Sequence, residues 1–244
     1  MNEKKVLLVT GASSDIGIKI IGEVYENYDT IWAHYNHESE ALKHLKEKCG
    51  EKLELIQADF SSVDSVKSMI TVITESGKFP DHIIHLSAPK FRIQKFVKES
   101  EDAFRKDYTV SVDSIISILR ALVPHMVKNK NGKIIFALSS NTIGMPVKFQ
   151  SSYTVSKYAL LGLMKSLAVE YADKNITVNA VSPDMVNTKF LSEIPELIVQ
   201  QAADNSPLKR NLDVEEVAPV FKFLLSDDGN RITGENISIT GGSF

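Results

Sequence analysis

Short apolar runs alternate with stretches of helical spacing along the whole of this 244-residue chain, and no other pattern constrains its fold as tightly. The runs lie at 5–10, 30–35, 53–58, 82–86, 132–138, 176–181 and 236–239. Strands covered on both faces read as near-continuous apolar runs, so these predict a buried parallel sheet. Between them apolar residues recur three or four apart, as in Ile16, Ile20, Ile21 and Val24, the spacing of a helix face. Further helices are expected at 38–49, closed by Gly50, and at 61–77, opened by a capping pattern at Ser61 to Asp64. Others are expected at about 100–128, with Pro124 kinking or dividing the last turns, and then up to about 172, at 192–203 and at 214–225. Strand and helix in alternation predict an α/β fold, a doubly wound parallel sheet with helices on both faces. Its ligand crevice lies at the carboxyl ends of the strands.

The chain shows no repeat, low-complexity tract or long Pro/Ser linker, so residues 1–244 are expected to form a single domain. A formal net charge of -3 without basic blocks argues against nucleic-acid or membrane partners and for a small molecule. One cysteine, Cys49, can form no internal disulfide, and no stretch approaches transmembrane length, so a cytoplasmic location is expected. His34, His37 and Glu38 invite a metal reading, but no further ligands complete a coordination sphere and no metal is expected. Hydrolase, P-loop and zincin motifs are absent.

Two stretches carry chemistry. The first run enters Gly11-Ala12-Ser13-Ser14-Asp15-Ile16-Gly17 and then a helix, which makes a cradle for a pyrophosphate from backbone N–H groups and the helix dipole. The fifth run ends at Ser140, and Ser151 or Ser152 can cap a helix that carries Tyr153 and Lys157 on one face. A phenol loses its proton at a pKa of about 10, and a neighbouring cation lowers that value. Tyr153 can then exchange a proton with a carbonyl oxygen that Ser140 also bonds.

Thr10-Gly11 with Gly17, then Asp59, Ser140, Tyr153-x-x-x-Lys157 and Val178-Asn179-Ala180-Val181-Ser182-Pro183, in this order, resemble the short-chain dehydrogenase/reductase family. The likeness runs on through Ile232-Thr233-Gly234-Glu235-Asn236 to Gly241-Gly242 and is nearest to 3-oxoacyl-carrier-protein reductases and related sugar or polyol reductases. It implies a Rossmann-type domain and an NAD(P)(H)-dependent oxidoreductase interconverting a ketone and a secondary alcohol, with reduction the expected direction. It implies Tyr153 as acid/base, Lys157 on the nicotinamide ribose while lowering the phenol's pKa, and Ser140 orienting the substrate carbonyl. Ser111 falls where the family has a catalytic-relay asparagine. Asp59 would bond the adenine amino group and Thr188 the nicotinamide carboxamide. Further cofactor contacts are implied from Gly11, Ser13, Ser14, Asp15, Ile16, Gly17, Tyr35, Asn36, Phe60, Ser87, Ala88, Pro183 and Val186. Residues 184–210 would form a lid, and the chain a homotetramer through helices around Val112–Leu119 and Leu160–Leu167.

Four positions depart from the family pattern: Asp15, Leu86-Ser87-Ala88-Pro89, Ser111 and Asp184. They motivate a second reading, a dinucleotide-binding sensor or scaffold with weakened catalysis. Tyr35 and Asn36 replace the acidic residue that holds ribose hydroxyls in NAD-specific members, so NADP(H) is expected over NAD(H). Asp15 faces the expected pyrophosphate, and its carboxylate is expected to turn back onto the amides of its own helix.

Overall fold

The computed structural model describes residues 5–192 and 194–243. Seven parallel strands, β1 (Val6–Thr10), β2 (Thr30–Tyr35), β3 (Leu53–Gln57), β4 (His82–His85), β5 (Gly132–Ala137), β6 (Ile176–Pro183) and β7 (Asn236–Ile239), lie in the order β3-β2-β1-β4-β5-β6-β7. The order reverses beside β1, the arrangement of a Rossmann-type doubly wound sheet, and the crevice at such a switch point is where ligands bind.

Alternation along the strands divides the core into two layers. Leu8, Ile83, Ile134 and Phe136 face α3 (Val63–Glu75), α5 (Ser114–Asn129) and α6 (Ser151–Tyr171). Leu7, Val9, Ile84, Ile135 and Val181 face α1 (Asp15–Val24), α2 (Glu40–Cys49) and α8 (Val214–Leu225), and α7 (Glu196–Asn205) lies between β6 and α8 in the chain. Four helices begin where a serine can cap them: Ser14, Ser39, Ser62 and Ser100 each accept a backbone N–H of the first turn of α1, α2, α3 and α4 (Glu101–Tyr108). Each such cap contributes about 1 kcal/mol. Asp213 and Glu216 form a reciprocal capping box on α8.

Three expectations are corrected. Neither Ser151 nor Ser152 caps α6; Gln150 stands at the cap, and the Ser152 hydroxyl donates to carboxylates of Glu99 and Asp107. Pro124 does not divide its helix, because it lies on the exposed side of α5, where the carbonyl it leaves unpaired meets water. The break comes instead at a π-helical turn, Thr109–Asp113, where Nε2 of His85 donates to the Ser111 carbonyl at 2.9 Å and draws it out of the helical ladder. Finally, the run Glu101–Asn129 is long and apolar enough to cross a membrane, contrary to the expectation that no stretch is. Half of its apolar window is buried, with Val112, Ile115, Ile118 and Leu122 packed on the sheet, so it is a core helix.

Candidate active site

A cavity of about 510 Å³ opens at the carboxyl ends of the strands. It takes in Gly11, Ser13, Ser14, Asp15 and Ile16 at one end, Asn36, Asp59 and Phe60 beside them, and Ser87 and Ala88 after β4. Ser140, Tyr153 and Lys157 form its floor, and Pro183, Val186 and Thr188 its far wall. Three expected site residues are not in this lining. Gly17 is buried against the loop, where an added Cβ would stand 2.9 Å from the Cα of Ala12, so its smallness serves packing. Tyr35 packs on the α1/α2 layer. Ser111 is buried within the π turn, and its neighbour Val110 reaches the cavity instead.

The first loop suits a diphosphate in part. Gly11 adopts φ +71, and a Cβ there would meet the Ser87 N at 3.0 Å, so the backbone can approach closely only as glycine. Ser14 caps α1 through Gly17 N–H and donates to the Gly11 carbonyl, which leaves the N–H groups of Asp15 and Ile16 without intrahelical acceptors at the cavity edge. The Asp15 carboxylate does not fold back on its own helix, as the sequence suggested. Its Oδ2 accepts from the backbone N–H of Lys189 at 2.6 Å, tying the loop to the segment after β6. Asp59 is engaged through Oδ1 with the amide and hydroxyl of Ser61, which hold its pKa below the ordinary carboxylate value.

His34, set aside in the sequence as a metal ligand, instead braces the first loop against the chain after β3. Its Nδ1 accepts from Gly11 N–H at 3.2 Å, its Nε2 donates to the Ala58 carbonyl at 3.0 Å, and its ring stacks on Phe60 at 3.9 Å. Burial pushes its pKa down to about 4, so the imidazole is neutral, as this bonding requires. Among the described residues no group of three His, Cys, Asp or Glu could hold a metal.

At the floor, β5 and α6 bring Lys157 under Tyr153. The ammonium lies 5.5 Å from the phenol ring centroid and donates to the Ala137 carbonyl at 2.7 Å. Lys157 is 4% exposed, and burial lowers its pKa to about 8. Burial also pushes the Tyr153 phenol up to about 12, outweighing the hydroxyl of Ser139 that pulls it down. Desolvation sets the direction of both shifts, and the hydrogen bond of Lys157 runs to the Ala137 carbonyl rather than to the phenol oxygen. Ser140 donates to Oδ1 of Asp184 at 3.2 Å. Phe91 stands edge-on to Tyr153 at 5.0 Å and to Phe190 at 5.7 Å, forming an apolar wall over the phenol.

A strand-order reversal, a glycine loop at a helix start and a Tyr-Lys pair in one cleft are the arrangement of a dinucleotide-binding α/β oxidoreductase. A family model described as enoyl-(acyl carrier protein) reductase matches residues 11–243, and the chain belongs to the short-chain dehydrogenase/reductase family. It is an NAD(P)-dependent enzyme of that family. It is 30% identical to oxidoreductase UcpA of Salmonella typhimurium, over 98% of this chain and 94% of that protein. It is also 30% identical to the 3-oxoacyl-[acyl-carrier-protein] reductase FabG of Thermotoga maritima, over 98% of each. Among solved structures, gox2181 superposes with a TM-score of 0.88 at 23% identity, covering 98% of this chain and 95% of that one. ElxO with NADP bound superposes with a TM-score of 0.87 at 24% identity over 98% of both. These two likenesses carry the fold.

Proposed function

We propose that the protein reduces a ketone to a secondary alcohol, with Tyr153 as the proton donor. The observation that carries this reading is Tyr153, with the buried Lys157 beneath it, sharing a cleft with Ser140 and the Gly11 loop. A bound nicotinamide dinucleotide supplies the hydride. Tyr153, protonated throughout the physiological range, delivers its proton to the carbonyl oxygen, and the Lys157 ammonium stabilises the phenolate left behind until solvent reprotonates it. Phe91 and Phe190 present an apolar wall beside the phenol.

The loop amides of Asp15 and Ile16 would face the diphosphate, Asp59 the adenine, and Thr188 with Pro183 and Val186 the nicotinamide end. NADP(H) is favoured over NAD(H), since no carboxylate follows β2 where the ribose would lie; Asn36 stands there, and Glu38 is drawn to Lys43. The neighbour solved with NADP supports the same choice. Residues 184–210 would act as a lid, and α5 and α6, with Val155, Tyr158 and Val169 exposed along α6, would pair subunits into a tetramer in the cytoplasm.

The test is a spectrophotometric screen of NADPH and NADH oxidation against a panel of ketones, 3-oxoacyl thioesters and sugars. Carbonyl-dependent oxidation, faster with NADPH, is expected. Tight dinucleotide binding with no oxidation by any carbonyl would instead favour the sensor reading.

A further inference from the structure

Asp184 follows β6 and lines the cavity beside Ser140. Its backbone N–H donates to Ile239 O at 2.9 Å, and Oδ2 accepts from the hydroxyl of Ser243 at 3.0 Å, brought there by a turn through Gly241 and Gly242 at φ +59 and +91. Oδ1 accepts from Ser140. Among the described residues no Lys, Arg or His stands within 4.0 Å of this carboxylate. Among the described residues two hydroxyls are its side-chain partners, and Ser243 divides its one proton with the Thr240 carbonyl. A carboxylate offers about four acceptor positions, and a half-buried anion is costly unless donors fill them. The cleft thus holds a fixed anion with unspent acceptors one hydrogen bond from Ser140, with the apolar Phe91, Val147 and Phe190 across from it.

We propose that Asp184 is the specificity-determining residue of this cleft, selecting carbonyl compounds that carry a hydroxyl or amino donor on the carbon next to the carbonyl, together with their vicinal diol or amino-alcohol products. The placing of the reacting oxygen at Tyr153 rests on the proposed function. A hydroxyl one carbon away then reaches Oδ1 of Asp184. Its donation to an open acceptor position of Oδ1 weakens the long bond from Ser140 to the same oxygen, and the Ser140 hydroxyl can turn to the reacting carbonyl oxygen, so the substrate's own donor completes the site. A plain ketone leaves Ser140 bonded to Asp184, and a 2-oxo acid brings a second anion against it.

The test has a binding arm and a kinetic arm. Calorimetric titration of the protein with NADP+ present compares butane-2,3-diol with butan-2-ol, and NADPH oxidation compares 3-hydroxybutan-2-one with butan-2-one. The diol should bind at least tenfold tighter, and the hydroxyketone should show at least tenfold higher kcat/KM. Asp184→Gly should reduce both ratios to within twofold, with Asp184→Asn intermediate; if the glycine variant does not fold, the asparagine variant decides. Equal ratios in wild type, or ratios unchanged in the Asp184 variants, overturn the inference. A diol preference that depends on Asp184 without turnover of either ketone would sustain it while refuting the proposed reaction. Turnover of both ketones at equal rates would do the reverse.

Discussion

Burial governs the two titratable groups at the floor of the cleft and shifts them in opposite directions. Tyr153 is held protonated, up to about 12, and Lys157 loses its proton near 8 rather than near 10.5. A protonated phenol is the form a reductase needs, because it must give its proton to the carbonyl oxygen. In the proposed reaction the lysine helps only while charged. For the free enzyme, kcat/KM for carbonyl reduction should therefore fall as pH rises through about 8, when the ammonium that stabilises the phenolate is lost. A profile flat to pH 10 would show that the Lys157 charge does not serve the proton transfer. The tyrosine and lysine were legible from their four-residue spacing, but their pKa values were not, since desolvation depends on what β5 and the Phe91 loop lay over them.

At the scale of elements, the loop before α1 and the segment after β6 are joined by the Asp15–Lys189 bond, whose partners are far apart in the sequence. The carboxylate holds the Lys189 amide but also brings negative charge to the helix end where a diphosphate would sit. At about 6 Å and an effective dielectric of about 20 the repulsion is roughly 3 kcal/mol before screening. Asp15→Asn keeps an acceptor for Lys189 and removes the charge, whereas Asp15→Gly removes both. Both variants should bind NADPH more tightly, most visibly at low salt, and only the glycine variant should speed hydrogen exchange at the Lys189 amide. Unchanged or weaker binding in both would mean that the carboxylate is no handicap to the dinucleotide. The π turn at 109–113 makes the same point about range. Helical spacing continues through it in sequence, and only the approach of His85 from β4 shows why the ladder opens there.

Across the whole molecule, the sheet and its helices were readable because each central strand is buried on both faces and the capped helices α1, α2 and α3 each present one apolar stripe. What the sequence could not show is how its polar residues pair between layers: Asp184 with Ser140, His34 with Gly11, His82 with Tyr28 and His85 with Thr10. That buried pairing has a consequence for stability. Burial holds His34 near 4 and His82 and His85 near 3, whereas the unfolded chain takes up these protons near 6.5. The unfolded state thus binds more protons between about 6.5 and 4, so stability falls as pH drops through that window. The slope is up to about 1.4 kcal/mol per pH unit for each histidine. A melting temperature that stays level from pH 7 to pH 4.5 would contradict it.

The central claim is that Tyr153 carries the proton transfer in a cleft otherwise built to hold a dinucleotide and a ketone. The most direct test is to measure kcat and dinucleotide affinity together in Tyr153→Phe, which removes only the phenol oxygen. The expected result is a fall in kcat of at least about a hundredfold, with NADPH affinity kept within a few-fold of wild type. Near-normal kcat in this variant, on a substrate that the wild-type enzyme reduces, would contradict the account.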